Sequence, residues 1–215
     1  WMMCGNILTI FQRMIFLLLR DMVVAGAALL EKHREAVDAL NVFPVPDGDT
    51  GTNMSLTMQS ATREVNAQEY LRADEAAAAI SKGALKGARG NSGVILSLLF
   101  RGVAKSLKGR ETASAAEFAA AVSAGVDAAY KAVMKPAEGT ILTVSRLGAQ
   151  AAVAFAKDST DFEGMLDALL AAAREALADT QNINPVLRRA GVVDAGGEGF
   201  VLVMDAMLGY LPVSY

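Results

Sequence analysis

The chain has 215 residues, enough for one large core. It is 53% hydrophobic but only 6% aromatic, and 23 acidic against 20 basic residues give a net charge of −3, which leaves no electrostatic case for a nucleic-acid partner. Its single cysteine, Cys4, excludes an internal disulfide and fits a reducing cytoplasm.

Helical periodicity runs through nearly the whole chain. It predicts helices over about 14–40, 51–65, 70–87, 92–107, 114–132, 140–157, 161–179 and 198–210, with a short turn near 185–190. No strand competes beyond the short Val192–Val193 piece, so the expected fold class is all-α. No repeat or low-complexity linker divides residues 14–215, and one domain is expected there. Residues 1–13 are an unmatched N-terminal segment. Met14–Leu19 is apolar, but Arg20 and Asp21 interrupt it far short of the roughly 20 residues that span a bilayer. No signal-peptide cleavage site follows it, and no transmembrane segment is expected. The run belongs instead to the first long helix, whose apolar face is expected to include Met22, Ala25, Ala28, Leu29 and Val37. His33, the only histidine, lies beside Glu31 and Lys32 on the charged side of that helix, an ordinary surface placement.

The loop after this helix runs from Asn41 through Pro44 and Pro46 to Asp47, Gly48, Asp49, Thr50, Gly51, Thr52, Asn53 and Met54. Both prolines have fixed φ and no donor, which predicts a stiff, extended approach to Asp47. Asp49 or Thr50 is a natural N-cap. Two carboxylates then sit at a helix N-terminus, where free amides and the dipole favour anions. Clustered acids in a glycine loop suit a hard cation such as Mg²⁺ carrying phosphate. The plainer reading is a capped turn. An EF-hand is excluded, because Met58 stands where its twelfth-position acid belongs.

Three later loops share this character. Gly87-Ala88-Arg89-Gly90-Asn91-Ser92-Gly93 precedes a helix expected to start at Asn91 or Ser92. It has the chemistry of a phosphate cradle, and equally of a tight helix–helix turn. It is not a Walker loop. Arg89 is placed either to meet phosphate or to form a salt bridge. In Lys135–Val144, Thr140 is a candidate cap for the next helix. Gly191–Phe200 holds Asp194, Ala195 and Gly196 after a short hairpin-like apolar piece, and it lacks the G-x-G-x-x-G of a dinucleotide loop. Upstream, Asn184-Pro185 reads as an N-cap with proline at the first helical position. Arg188 and Arg189 suit a helix C-terminus. Four such loops fit one end of a helical bundle.

In order and spacing, NVFPVPDGDTGTNM, GARGNSGVILS, KPAEGTILTV and AGVVDAGGEG resemble the motifs of the DAK2 or DhaL-like family, as found in the N-terminal nucleotide-binding domain of the fatty acid kinase large subunit. The resemblance covers about residues 20 to 210. It implies an eight-helix antiparallel barrel of the DhaL type with the nucleotide at its loop end. It further implies ATP or ADP with one or two Mg²⁺ ions, with Asp47, Asp49 and Asn41 toward metal and Asp47, Asp49 and Arg89 in the catalytic set. Thr50, Thr52, Asn53, Gly90, Asn91, Ser92, Gly93, Thr140, Asp194, Ala195 and Gly196 are the implied nucleotide contacts. The related ADP-binding subunit of dihydroxyacetone kinase has histidine where this chain has Thr50 and an upstream acid where it has Asn41, which favours the fatty acid kinase branch. The implied acceptor is a fatty acid carboxylate held by a DegV-like carrier protein, engaged through further domains of the large subunit. This chain by itself is then expected to bind nucleotide without turning over fatty acid. A dihydroxyacetone-kinase-type phosphotransfer subunit and a non-catalytic nucleotide sensor are the other readings, and a homodimer is left open.

Overall fold

A computed structural model describes residues 3–211, with side chains from Leu18 onward. Trp1 and the side chain of Cys4 lie outside the described residues. The helices are α1 (Met3–Lys32), α2 (Arg34–Ala39), α3 (Thr50–Val65), α4 (Ala73–Gly87), α5 (Gly90–Ser106), α6 (Ala115–Ala132), α7 (Ile141–Asp158), α8 (Phe162–Ile183), α9 (Pro185–Ala190) and α10 (Ala195–Gly209). No strand occurs among the described residues. The eight long helices pack in sequence order, and α10 closes the ring against α1. The all-α architecture and the eight-helix antiparallel arrangement are therefore as expected.

Small residues set how closely the helices approach. A Cβ on Gly102 of α5 would stand 2.3 Å from the Gly125 Cα of α6, and one on Gly83 of α4 would stand 2.5 Å from the Ser60 carbonyl of α3. Between these near-contacts the interior fills with Met22, Leu30, Met54, Met58, Leu96, Leu142, Met165, Leu166, Leu169 and Leu170, all fully buried. Each such side chain contributes roughly 1.5–3 kcal/mol on leaving water.

Some boundaries differ from the periodicity. The first helix begins by residue 3 and breaks at His33, whose Nδ1 donates to the Leu29 carbonyl at 2.9 Å. The ring competes there for a backbone acceptor, and the chain restarts as α2. The buried face of α1 is Met22, Val23, Ala27 and Leu30, whereas Ala28 is exposed and Ala25 and Leu29 are half-buried. The piece before α10 is no hairpin: Gly191, at φ 69°, ends α9 in a left-handed cap, and Val192 donates to the Leu187 carbonyl at 3.2 Å. Asn184 caps α9 through Val186 at 2.9 Å, with Pro185 following, as expected. Arg188, beside Arg189 in the last turn of α9, donates to the Gln181 and Asn182 carbonyls.

The ring leaves two unlike ends. At one lie the N-termini of α4, α6 and α8 and an apolar cavity of about 290 Å³ lined by Leu18, Met22, Leu107, Phe118, Phe162 and Leu211. At the other lie the N-termini of α3, α5, α7 and α10. No helix among the described residues is long and apolar enough to cross a membrane.

Candidate functional site

The loop before α3 is organised by Asn41, which is buried. Its Nδ2 donates to the Val45 carbonyl at 2.7 Å, and the Phe43–Pro44 peptide is cis. The segment is thus a closed turn, not the extended approach that its prolines suggest. Asn41 Oδ1 accepts from the amides of Asp49 (3.3 Å) and Thr50 (3.0 Å) and from Thr50 Oγ1 (2.5 Å). Asp49 holds the N-cap position of α3, but its carboxylate makes no capping bond. Asn41 caps the helix from across the loop. Three donors already fill the oxygen that the resemblance assigns to metal.

Asp38 completes the cap. It accepts from the Thr52 amide at 2.9 Å and from Thr52 Oγ1 at 2.7 Å. Sequence reasoning missed this residue. Its one signal was position: an acid in the last turn of a helix opposes the dipole, which hints that the carboxylate serves another element. Gly51 is a packing residue too, because a Cβ there would stand 2.2 Å from the Arg34 carbonyl of α2.

These bonds leave the carboxylates of Asp47 (exposed) and Asp49 (half-buried) with no ion pair or hydrogen bond among the described residues. Both line a cavity of about 150 Å³ together with Asn41, Thr50, Asn53, Gly90, Asn91 and Ser92. No group of three or more His, Cys, Asp or Glu side chains gathers around a metal-sized space among the described residues. The donor set is two acids and the helix ends facing them.

The opposite wall is α5, which starts at Gly90, a residue earlier than its sequence suggests. Arg89 stands at the N-cap position with extended backbone and no side-chain cap. The amides of Gly90, Asn91 and Ser92 have no acceptor among the described residues. Gly90 has φ +57°, and a Cβ there would fall 2.4 Å from Asn53 Nδ2, so glycine lets α5 meet α3. Gly93 is buried against α3, its Cβ position 2.5 Å from Thr57 Oγ1. Its small size serves helix packing. Arg89 is exposed, donates to the Ala88 carbonyl at 3.1 Å and makes no ion pair among the described residues.

Thr140 caps α7, accepting from Leu142 at 3.4 Å and donating to the Ala137 carbonyl at 2.7 Å. Glu138 braces the loop ahead of it, accepting from Thr143 Oγ1 (2.6 Å), Arg146 (2.8 Å) and Tyr130 (3.0 Å). Burial raises the Glu138 pKa, but these donors outweigh it and hold the carboxyl below its usual range. Asp194 caps α10 through the Gly197 amide at 2.7 Å. It is buried, and desolvation pushes it up to about 6 against the pull of the Gly197, Ile141 and Gly196 amides. Ala195 and Gly196 are buried in the same turn.

The two ends of the bundle differ in how their N-termini are compensated. At the far end, α4, α6 and α8 carry Asp74 and Glu75, Glu117, and Glu163 in their first turns. There the Ala73 and Asp74 amides are taken by the Glu111 and Arg110 carbonyls, and α6 has a full capping box. At the site end, α3, α5 and α7 carry no acid in the first turn, while α10 carries Glu198 there and is capped by Asp194. Asn41 and Asp38 cap α3 and Thr140 caps α7, whereas α5 keeps its first amides open toward the cavity that holds Asp47 and Asp49, a setting for an anion bridged by a cation.

The DAK2 domain family model matches residues 44–209. Protein YloV of Bacillus subtilis (strain 168) is 51% identical over 191 residues, 89% of this chain and 34% of the relative. Uncharacterized protein SAB1090 of Staphylococcus aureus (strain bovine RF122 / ET3-1) is 48% identical over 191 residues, 89% of this chain and 35% of the relative. The chain thus spans about a third of the length of these curated relatives. Among solved structures, the dihydroxyacetone kinase from C. freundii in complex with AMP-PNP and Mg²⁺ is similar with TM-score 0.68 and 20% identity, over 88% of this chain and 33% of that chain. Its native form gives TM-score 0.65 and 22% identity over 88% of this chain and 34% of that chain. At these identities the likeness is one of fold.

Proposed function

This chain belongs to the DAK2 domain family, and from that premise we propose that its loop end binds an adenine nucleotide together with Mg²⁺ and serves phosphoryl transfer. One observation carries the reading: the open amides of α5 and the unpaired carboxylates of Asp47 and Asp49 line one cavity. Two acids, one exposed and one half-buried, with no third among the described residues, suit a metal that keeps water and phosphate oxygens in its shell, which is how Mg²⁺ binds. Bound there, one or two ions would neutralise charge on the transferred phosphoryl group. Asp47 and Asp49 hold the cation. Gly90, Asn91 and Ser92 offer amides to phosphate oxygens, and Asn53 and Thr50 shape the floor between them. Arg89, at the start of the same turn and without a carboxylate partner among the described residues, would meet phosphate by leaving the Ala88 carbonyl. Asn41 and Asp38 hold the first turn of α3 so that the acids stay on the rim.

The proposed acceptor is the carboxylate of a fatty acid held by a DegV-like carrier protein, engaged through the remainder of a longer large subunit, in the cytoplasm. The motif agreement and Thr50 in place of histidine support this branch. The likeness in fold to dihydroxyacetone kinase favours the second reading, a subunit that retains ADP as a cofactor. Nucleotide exchange separates the two: a kinase releases ADP after each turnover, and a phosphotransfer subunit keeps it. Calorimetry with ATP, with and without Mg²⁺ and after EDTA treatment, tests the core of the proposal. Binding that needs Mg²⁺ is expected, and equal affinity under all conditions overturns the metal bridge. Phosphoryl transfer with the carrier supplied distinguishes a kinase from a nucleotide sensor.

A further inference from the structure

Three of the helix N-termini at this end meet around Gly196. A Cβ placed there would stand 3.2 Å from Ser92 Oγ of α5, 3.3 Å from Ile141 Cβ of α7 and 3.3 Å from Asp194 Oδ2. Ser92 lines the loop-end cavity, so the Asp194 carboxylate lies one glycine's width behind its wall. Asp194 is 5% exposed. It receives the Gly197 amide at 2.7 Å, the Ile141 and Gly196 amides also favour its charge, and its own amide donates to Thr180 Oγ1 at 3.1 Å. It is an anion resting on helix ends of the kind a phosphate uses.

Among the described residues no side-chain cation offsets it: burial and those three amides act on its charge. The charged residues on surrounding elements have other partners or lie outside this contact. Glu138 is bound by Thr143, Arg146 and Tyr130. Arg188 holds carbonyls of α8, and Arg89 holds its neighbour's. On α2, Arg34 pairs with Glu31 and Glu35, and Asp38 accepts from Thr52. Arg189 of α9 is exposed, Asp179 of α8 accepts from Asn182, and Glu198 stands in the first turn of α10.

We propose that Asp194 is the resident counter-anion of the phosphate cradle, and that a polyphosphate entering the loop end drives its protonation; this rests on the nucleotide reading above. A phosphate on the α5 amides and the Asp194 carboxylate on those of α7 and α10 would face each other across Gly196; two anions that close in a poorly solvated place repel each other, and the one that can take a proton does so. Burial already holds the carboxyl at about 6, within reach of neutral solvent. The step is transfer of one proton from buffer to the Asp194 carboxylate, and no other bond forms or breaks. Asp194 is thus a positioning residue: charged, it draws the first turns of α7 and α10 together, and neutral, it takes a negative charge away from behind the phosphate cradle.

Calorimetry with Mg·ATP at pH 6.5 in two buffers of different ionisation heat counts protons taken up per nucleotide bound. Nucleotide and metal contribute equally to wild type and Asp194→Asn, so the difference between the two proteins belongs to Asp194. A rise of about one unit from its free value takes up about half a proton at that pH. That extra uptake is expected in wild type alone. Equal uptake in both overturns the linkage and leaves the nucleotide reading standing, whereas no binding heat with Mg·ATP, Mg·ADP or tripolyphosphate overturns both. If Asp194→Asn does not fold, NMR of the Asp194 carboxyl carbon in wild type decides. Its titration midpoint moves up on adding Mg·ATP if the linkage holds, and stays in place if it does not.

Discussion

At the scale of single residues, the polar side chains of the loop divide into two kinds. Asp47 and Asp49 have no partner among the described residues, so Asp47→Ala and Asp49→Ala relieve repulsion in the unliganded protein. Their melting temperatures without ligand should hold or rise, while the stabilisation that Mg·ATP confers, about 2.7 kcal/mol at a hundred times Kd, disappears in a thermal-shift titration. Unfolding of both variants would make these acids structural. Asn41 is the opposite case. Asn41→Ala strands the Thr50 amide and hydroxyl in a buried place and should cost about 1–3 kcal/mol in urea unfolding without any ligand. Asp194 adds a pH signature. Its folded pKa is raised, so the stability it contributes is full below its unfolded value near 4 and is lost as pH climbs through about 6. Relative to wild type, Asp194→Asn should gain on the order of 2–3 kcal/mol between pH 4 and 7, read from urea midpoints across that range. The motifs singled out Asp47 and Asp49, and the structure leaves both without a partner among the described residues at one cavity. They did not distinguish Asn41 as a cap from Asn41 as a ligand, because an amide oxygen serves either role and only its three donors decide.

At the scale of elements, the helix interiors were legible and the ends were not. Periodicity reports which face is buried, and it places α3 and α6 to within about two residues. It carries no information on a ring that bonds its own backbone, as His33 does, so the break between α1 and α2 was missed. Nor does it show that Asp194 starts α10 three residues ahead of the apolar pattern, since Ala195, Gly196 and Gly197 are buried by size and not by hydropathy. The same blindness covers the glycines of the helix pairs. Gly102→Ala puts a methyl where the α6 backbone stands, so α5 and α6 must part. A loss of about 1–3 kcal/mol in urea unfolding is expected. Gly109→Ala, in a turn where nothing lies within 4 Å of the new carbon but φ is +83°, reports the backbone penalty alone.

At the scale of the whole molecule, the decisive fact is the closed ring, which gathers four N-termini at one end. Neighbours in sequence suggested the ring, but the meeting of Ser92, Ile141 and Asp194 around Gly196 joins residues that no local pattern connects. This chain spans about a third of the length of its longer relatives; under the fatty acid kinase reading proposed above, alignment of an acceptor falls to other parts of a longer subunit. With purified carrier, acyl-phosphate formation by the 215-residue chain should be negligible and should return with the rest of that subunit attached. Robust turnover by this chain alone would place the acceptor site within it. The glycine contacts between helices have a further effect on such a site. They act as notches that fix how far each helix slides along its neighbour, so the walls of the cavity are set by axial alignment as much as by side chains. An α-helix advances about 1.5 Å and turns about 100° per residue. One residue inserted into α5 between Gly93 and Gly102 would therefore shift the Gly90–Ser92 turn against its fixed neighbours, whereas one inserted beyond Gly102 would be absorbed toward the far loop. The molecule is built like a lock with its pins cut to length, tolerant of change on one side of the notch and not on the other.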